Sequence, residues 1–257
     1  MSTVTAGDLA PGVLQQERMF FALSSVAMIA VIAIGFAPSF YLRGVIAAPH
    51  PYEPLIPLVL AHGLLFSAFL LLFAAQAWLA AAGRVDLHMK LGASAFVLLP
   101  IMIVVAVFVS LGGVYRPITA PPGLSPLSWL AVPLIDVPVF ATLFGLGLAN
   151  RARPEVHKRL MFLGMTDMMQ PGFGRWPLPL SPLKTVFVGT VLLPALFILA
   201  LLLWDLRSRG RPTNVTLIGG AAIVSIAAIK PLIWATPWWL AFAKWASMLV
   251  HPATASM

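Results

Sequence analysis

The sequence predicts an all-α integral membrane protein: a bundle of about seven transmembrane helices with a tandem helix-hairpin repeat and a C-terminal, Trp-rich interfacial helix. Three observations predict it. Of 257 residues, 60% are hydrophobic and 9% charged, with a mean hydropathy of +0.96. A soluble domain carries roughly 25% charged residues, so this chain lacks the charges to clothe a water-facing surface. Apolar runs recur along the chain at bilayer-spanning length, about 20 residues each, and a helix can enter lipid because it satisfies its own backbone. The basic residues, finally, sit in short connections between these runs.

The formal charge of +8 therefore reports topology rather than a nucleic-acid partner. The absence of cysteine excludes disulfides, thiolate chemistry, iron–sulfur clusters and Cys-ligated zinc.

Residues 1–18, MSTVTAGDLAPGVLQQER, are polar and lack a basic n-region, which predicts a cytoplasmic segment rather than a cleaved signal peptide. A membrane bundle over 19–235 follows, with spans at 19–37, 55–82, 90–112, 128–149, 158–177, 184–204 and 214–235. Prolines at 38, 51, 54, 121, 122, 126, 177, 182 and 212 punctuate the connections, where helices stop or start. One side holds Arg18, Arg84, Lys90, Arg151, Arg153, Lys158, Arg159, Arg207, Arg209 and Arg211; the other holds Arg43, Arg116, Arg175, Lys184, Lys230 and Lys244. The positive-inside rule puts the first set and the N-terminus in the cytoplasm of a bacterial inner membrane, and an odd helix count puts the C-terminus outside. The tail 236–257 continues a run with Trp234, Trp238, Trp239 and Trp245, a headgroup-level composition, with Lys244 facing water.

The fifth span differs from the rest. From Arg159 to Gln170 it offers twelve residues before Pro171-Gly172-Phe173-Gly174, about 18 Å of helix against a core about 30 Å thick. A break at that depth is tolerated only against protein or a water-filled cavity, so this span is predicted to be interior and its break a candidate site.

Two connections share a pattern. Arg84-Val85-Asp86-Leu87-His88-Met89-Lys90-Leu91 and Arg153-Pro154-Glu155-Val156-His157-Lys158-Arg159-Leu160 both read Arg, apolar, acid, apolar, His, any, base, Leu. A tandem repeat of helical hairpins about an axis along the membrane normal follows, with the acid capping each helix start. His88 and His157 then lie at equal depth, a disposition suited to two haem ligands from facing helices, with Arg84 and Arg159 as partners for propionates or lipid phosphates. Interfacial histidines that anchor helix ends give the same pattern without a cofactor.

Ionisable groups inside spans are costly and mark function by default. The only acids inside the spans are Asp136 and Asp167 and the only histidine is His62; the three lie at about 10 (His62), 13 (Asp136) and 14 Å (Asp167) from their nearer helix ends, with Arg175 just beyond. A His–Asp–Asp–Arg cluster in the outer half serves as a proton relay, a quinone-type pocket or a cofactor environment; a buried network that only holds the bundle together is the alternative. His50 with Glu53 would make a minor outer site, and His251 carries no signal. Met161 and Met165 follow His157 on one helical face, a Cu(I)-type donor set, though Met more often fills core space; no metal ligand is assigned. No P-loop, GxGxxG, HExxH or GxSxG pattern occurs in a suitable context, which argues against nucleotide-driven and hydrolytic functions.

His62-Gly63-Leu64-Leu65-Phe66, Gly83 to Gly92, and Pro154 to Met161 together resemble a broad group of uncharacterised bacterial multi-pass inner-membrane proteins, over roughly residues 55–177. The same layout is more weakly similar to b-type cytochromes built on histidine-bearing hairpins, a resemblance that implies haem. Three functions follow as expectations: a redox or proton-linked protein using haem b or a quinone, which is preferred; a non-catalytic subunit of a larger membrane complex; and a small-solute transporter.

Overall fold

Proline sets where these helices begin. A first-turn residue has no intrahelical partner for its N–H, so proline costs nothing there and pre-sets φ. Six helices begin on it: α1 (Pro11–Phe36), α2 (Pro57–Ala81), the one-turn α5 (Pro126–Trp129), α7 (Pro154–Asp167), α9 (Pro182–Phe187) and α12 (Pro237–Met248). The others are α3 (Val85–Gly92), α4 (Ala95–Gly112), α6 (Ala131–Ala149), the one-turn α8 (Gln170–Phe173), α10 (Leu193–Arg209) and α11 (Asn214–Ile233). A π turn, Ala37–Tyr41, extends α1, and another, Val188–Leu192, joins α9 to α10. These elements belong to a computed structural model that describes residues 10–47, 55–116 and 120–250; His50, Glu53 and His251 lie outside them.

Six stretches are long and apolar enough to cross a membrane: Pro11–Tyr41, Pro57–Ala81, Ala95–Tyr115, Pro126–Ala149, Pro182–Arg209 and Asn214–Ile233. Their outward faces present Leu64, Leu71, Val97, Leu196, Ile218 and Leu232, all exposed, as lipid contact requires. The chain is a multi-pass helical membrane protein.

The predicted fifth span, 158–177, is not among the six. It divides at Met168–Met169 into α7 and the single turn of α8, so it is too short to cross as one helix. It is nonetheless the centre of the bundle. Residues 159–167 are buried except Met161, and α8 buries Gln170, Gly172 and Phe173. Helices α1, α6, α10 and α11 pack around α7. Two glycines permit the closest approaches: a Cβ on Gly35 of α1 would stand 2.2 Å from the Gly172 carbonyl oxygen, and one on Gly164 would stand 2.6 Å from the Phe144 ring.

Helix α1 starts eight residues before the predicted span, because Glu17 lies on its buried face rather than in a solvated segment. The tail is a separate helix, turned away from α11 at Trp234–Thr236. Trp239 of α12 donates from Nε1 to the Leu127 carbonyl at 3.0 Å and joins a small apolar core with Leu111, Leu130 and Ala243, while Trp238 and Trp245 stay exposed.

Alternation of the helices gathers Arg84, Arg151 and Arg207 at one end of the bundle, hereafter the basic end. Contacts agree: the Arg151 guanidinium lies 5.4 Å from the Phe96 ring centroid, and Gln15 donates to the Ala81 carbonyl at 3.4 Å. The opposite end is the far end.

Candidate functional site

Three polar clusters occupy the bundle. In the far half, Asp136 (α6), Asp167 (the last residue of α7), Gln170 (the first of α8) and Lys230 (the last turn of α11) converge. The break in the fifth segment sets Asp167 and Gln170 one turn apart, and Gln170 Nε2 donates to Asp167 Oδ1 at 2.7 Å and to Asp136 Oδ1 at 3.5 Å. Gln170 Oε1 accepts from Lys230 Nζ at 3.1 Å, and Lys230 forms a close ion pair with Asp136. Of the predicted outer cluster, the two aspartates are thus brought together. His62 and Arg175 are not bonded to them: His62 lies 4.2 Å from Phe66, centroid to centroid, with Nδ1 buried and unpartnered, and Arg175 donates to the Pro171 carbonyl at 2.8 Å and stacks 4.3 Å from the Phe36 ring.

At the basic end, Glu17 (α1), Glu155, Lys158 and Arg159 (α7), and Asp205 and Arg209 (α10) form an ion network. Lys158 Nζ reaches Glu17 at 2.5 Å and Glu155 at 2.6 Å. Arg159, fully buried, donates from Nε to Asp205 at 3.2 Å and from Nη1 to Glu155 at 2.8 Å, and it also meets Glu17 at 3.3 Å. Arg209 bonds Glu17 at 2.8 Å and contacts Glu155. Asp205 further accepts from the Thr213 amide at 3.0 Å and the Thr216 hydroxyl at 2.7 Å. Three acids therefore match three bases. Arg159, predicted as a cofactor contact, spends every guanidinium nitrogen on protein groups. Glu155, predicted as a helix cap, gives its carboxylate to Lys158, Arg159 and Arg209. Asp86 instead meets Arg84 at 3.5 Å on the exposed surface.

The third cluster holds the two repeat histidines. Their ring centroids lie 6.3 Å apart with planes at 87°. His88 Nδ1 bonds the Gln76 carbonyl at 3.2 Å and His157 Nδ1 the Gly147 carbonyl at 2.8 Å. A carbonyl only accepts, so each Nδ1 carries the proton and each Nε2 keeps its lone pair in the neutral ring. Both rings line a cavity of about 160 Å³, with Phe21, Phe69, Phe73 and Met161 as its apolar wall and Glu17, Arg18 and Lys158 at its edge. Gln76 also lines it, and both polar atoms of its side-chain amide are buried without a partner. Met165 and Met169 lie apart, in the main core. Among the described residues no group of three or more His, Asp or Glu is disposed around a metal position.

Sequence reasoning missed Gln76, Glu17, Asp205, Arg209, Gln170 and Lys230. Gln76, a single amide inside the apolar run 55–82, was the clearest available signal. Lys230 was counted as an outer flank although it lies within 214–235. Comparison with protein-family models, curated proteins and solved structures found no match.

Proposed function

We propose that the protein is a redox-linked membrane protein whose His88–His157 cavity binds the head group of a quinone or quinol. One observation carries this reading: two imidazoles with free Nε2 lone pairs and an amide with both ends unsatisfied border a single Phe-lined cavity. An unpaired buried amide group costs about 1–3 kcal/mol, a cost that a ligand offering both a donor and an acceptor removes. The ring of a quinone fits the aromatic wall. Gln76 Nε2 donates to a quinone carbonyl, and each imidazole Nε2 accepts from a quinol hydroxyl, so the two histidines provide for the two protons that a quinol releases on oxidation. Oxidation of the quinol requires a separate acceptor for its two electrons, of the haem or flavin class, and the residues of the cavity supply only the proton acceptors.

Haem b is the second reading, favoured by the spacing of the imidazoles, which suits two axial ligands on one iron. The donor set fits, but the space does not. A cavity of about 160 Å³ falls below the ~300–1,000 Å³ of pockets that enclose drug-sized ligands, and a porphyrin needs more.

Purified protein titrated with a short-chain quinone, followed by tryptophan fluorescence and by absorbance, tests both. Saturable quenching that is lost in His157→Phe, with no Soret band in the protein as isolated, is expected. A Soret band that disappears in both His88→Ala and His157→Ala would establish the haem reading, and no quinone binding in the wild type would remove the quinone one.

A further inference from the structure

We propose that Asp136, Asp167, Gln170 and Lys230 form a binding site for one exchangeable proton in the far half of the bundle, separate from the histidine cavity. The argument is a charge count in a closed space. Two carboxylates meet one ammonium, and the amide between them is neutral. Gln170 turns its N–H to Asp167 and its oxygen to Lys230, which fixes the order of groups as Asp136, Lys230, Gln170, Asp167.

Among the described residues, no cation besides Lys230 is bonded to either carboxylate, and Asp167 has only the neutral Gln170 amide. From α2, His62 faces this level with a ring packed on Phe66 and no hydrogen bond to the cluster. Beyond α8, Arg175 is exposed and turned to the Pro171 carbonyl and the Phe36 ring. Helices α1 and α10 carry their charged residues, Glu17, Arg18, Asp205, Arg207 and Arg209, at the basic end. Helices α4 and α5 have none, and the π turn Val188–Leu192 offers only Thr190, whose hydroxyl donates to the Val186 carbonyl at 2.8 Å.

An uncompensated charge in such surroundings is prohibitively costly, and a group so placed takes up a proton instead. One proton on the Asp136–Asp167 pair makes the cluster neutral, with Asp167 as acid and Gln170 linking it to the ion pair. A metal cation is the weaker occupant, because the Lys230 ammonium already fills the position facing Asp136. Asp167, Gln170 and Lys230 are 3%, 1% and 2% exposed, whereas the Asp136 side chain retains 19%. Asp136 is the entry, and Asp167 the resting place at the break of the helix.

Infrared difference spectroscopy of the full-length protein in lipid nanodiscs, with pH stepped from acid to alkaline, reads this directly. The expected result is one protonated-carboxyl C=O band that disappears as pH rises, shifts on ¹³C-aspartate labelling, is lost in Asp167→Asn and is unmoved by sodium. Lys230→Met should add a second such band, since the remaining acid then also needs a proton. The proposal is overturned if labelled wild type shows no titrating aspartic band, if the band survives in both Asp136→Asn and Asp167→Asn, or if sodium displaces it. The wild-type measurement decides even where a variant fails to fold.

Discussion

Replacing Gln76 with leucine should make the ligand-free protein more stable and at the same time abolish quinone binding. Gln76 sits within the apolar run of α2, and both polar atoms of its side chain are buried without a hydrogen bond. Each such group costs about 1–3 kcal/mol. Leucine has similar bulk and no polar atom, so it removes the cost without opening a void. The backbone carbonyl of residue 76, which accepts from His88 Nδ1 at 3.2 Å, is untouched, and the imidazole stays in place. A net gain of about 1–3 kcal/mol, at about 2–4 °C per kcal/mol for a chain of this size, raises Tm by roughly 2–12 °C. Thermal unfolding followed by circular dichroism, with and without a short-chain quinone, is the assay. Ligand at about 100 times Kd adds about 2.7 kcal/mol to a protein that binds it; that increment should appear in the wild type and vanish in Gln76→Leu. A lower Tm for the ligand-free variant, or an equal quinone-induced shift in both proteins, would refute the assignment of Gln76 as an amide held for a ligand.

Three further outcomes are expected. Arg159→Met should lose about 3–5 kcal/mol, the effect of stranding buried partners, and Arg159→Lys should not restore it, because one ammonium cannot meet Asp205, Glu155 and Glu17 together; chemical denaturation checks both. Lys230→Met should destabilise by about 3–5 kcal/mol, Asp136→Asn by less, because Asp167 can release its proton and balance Lys230, and the double variant should recover much of the Lys230→Met loss; simple additivity would contradict the ion pair. At the first turn of α7 and outside the six spans, burial pushes the His157 imidazole below its ordinary value, the Gly147 carbonyl opposes this and His88 adds to it. Between the free-imidazole value of about 6.5 and the lower folded one, the unfolded chain binds a proton that the folded chain does not. Stability should therefore fall as pH drops through that window, and a pH series of melting curves should flatten there in His157→Gln.

Most of the fold was legible because composition and run length are local properties. Apolar runs bounded by proline became helices close to where the pattern put them, and the short fifth segment became interior for the reason its length implied. What failed was anything set by a distant partner. Lys230 reads as a flanking lysine that would snorkel to the surface, until Asp136, 94 residues away, faces it at the same depth. Asp205 falls one residue past the span 184–204, because charge itself ends a hydropathy window; its burial depends on Arg159, 46 residues earlier in the chain. Glu17 reads as part of the polar cytoplasmic segment 1–18 for the same reason. Asp136 and Asp167 were found because an acid inside an apolar run is visible without knowing its partner.

The two hairpin copies supply the sharpest argument for where function lies. Their matched bases have diverged completely: Lys90 is exposed, whereas Arg159 is fully buried and ties α7 to α10. The helices have diverged too, since α3 ends at Gly92 whereas α7 runs on to Asp167. Yet both histidines make the same bond, Nδ1 to a carbonyl of the preceding long helix, and both border one cavity. Anchoring a helix end needs no such equality, because the two ends now sit in different surroundings, one at the surface and one in an ion network. A ligand held between two imidazoles does need it, since each ring must keep its Nε2 free on the side away from its carbonyl. The equality survives only at the cavity, and there alone the repeat still behaves as a pair.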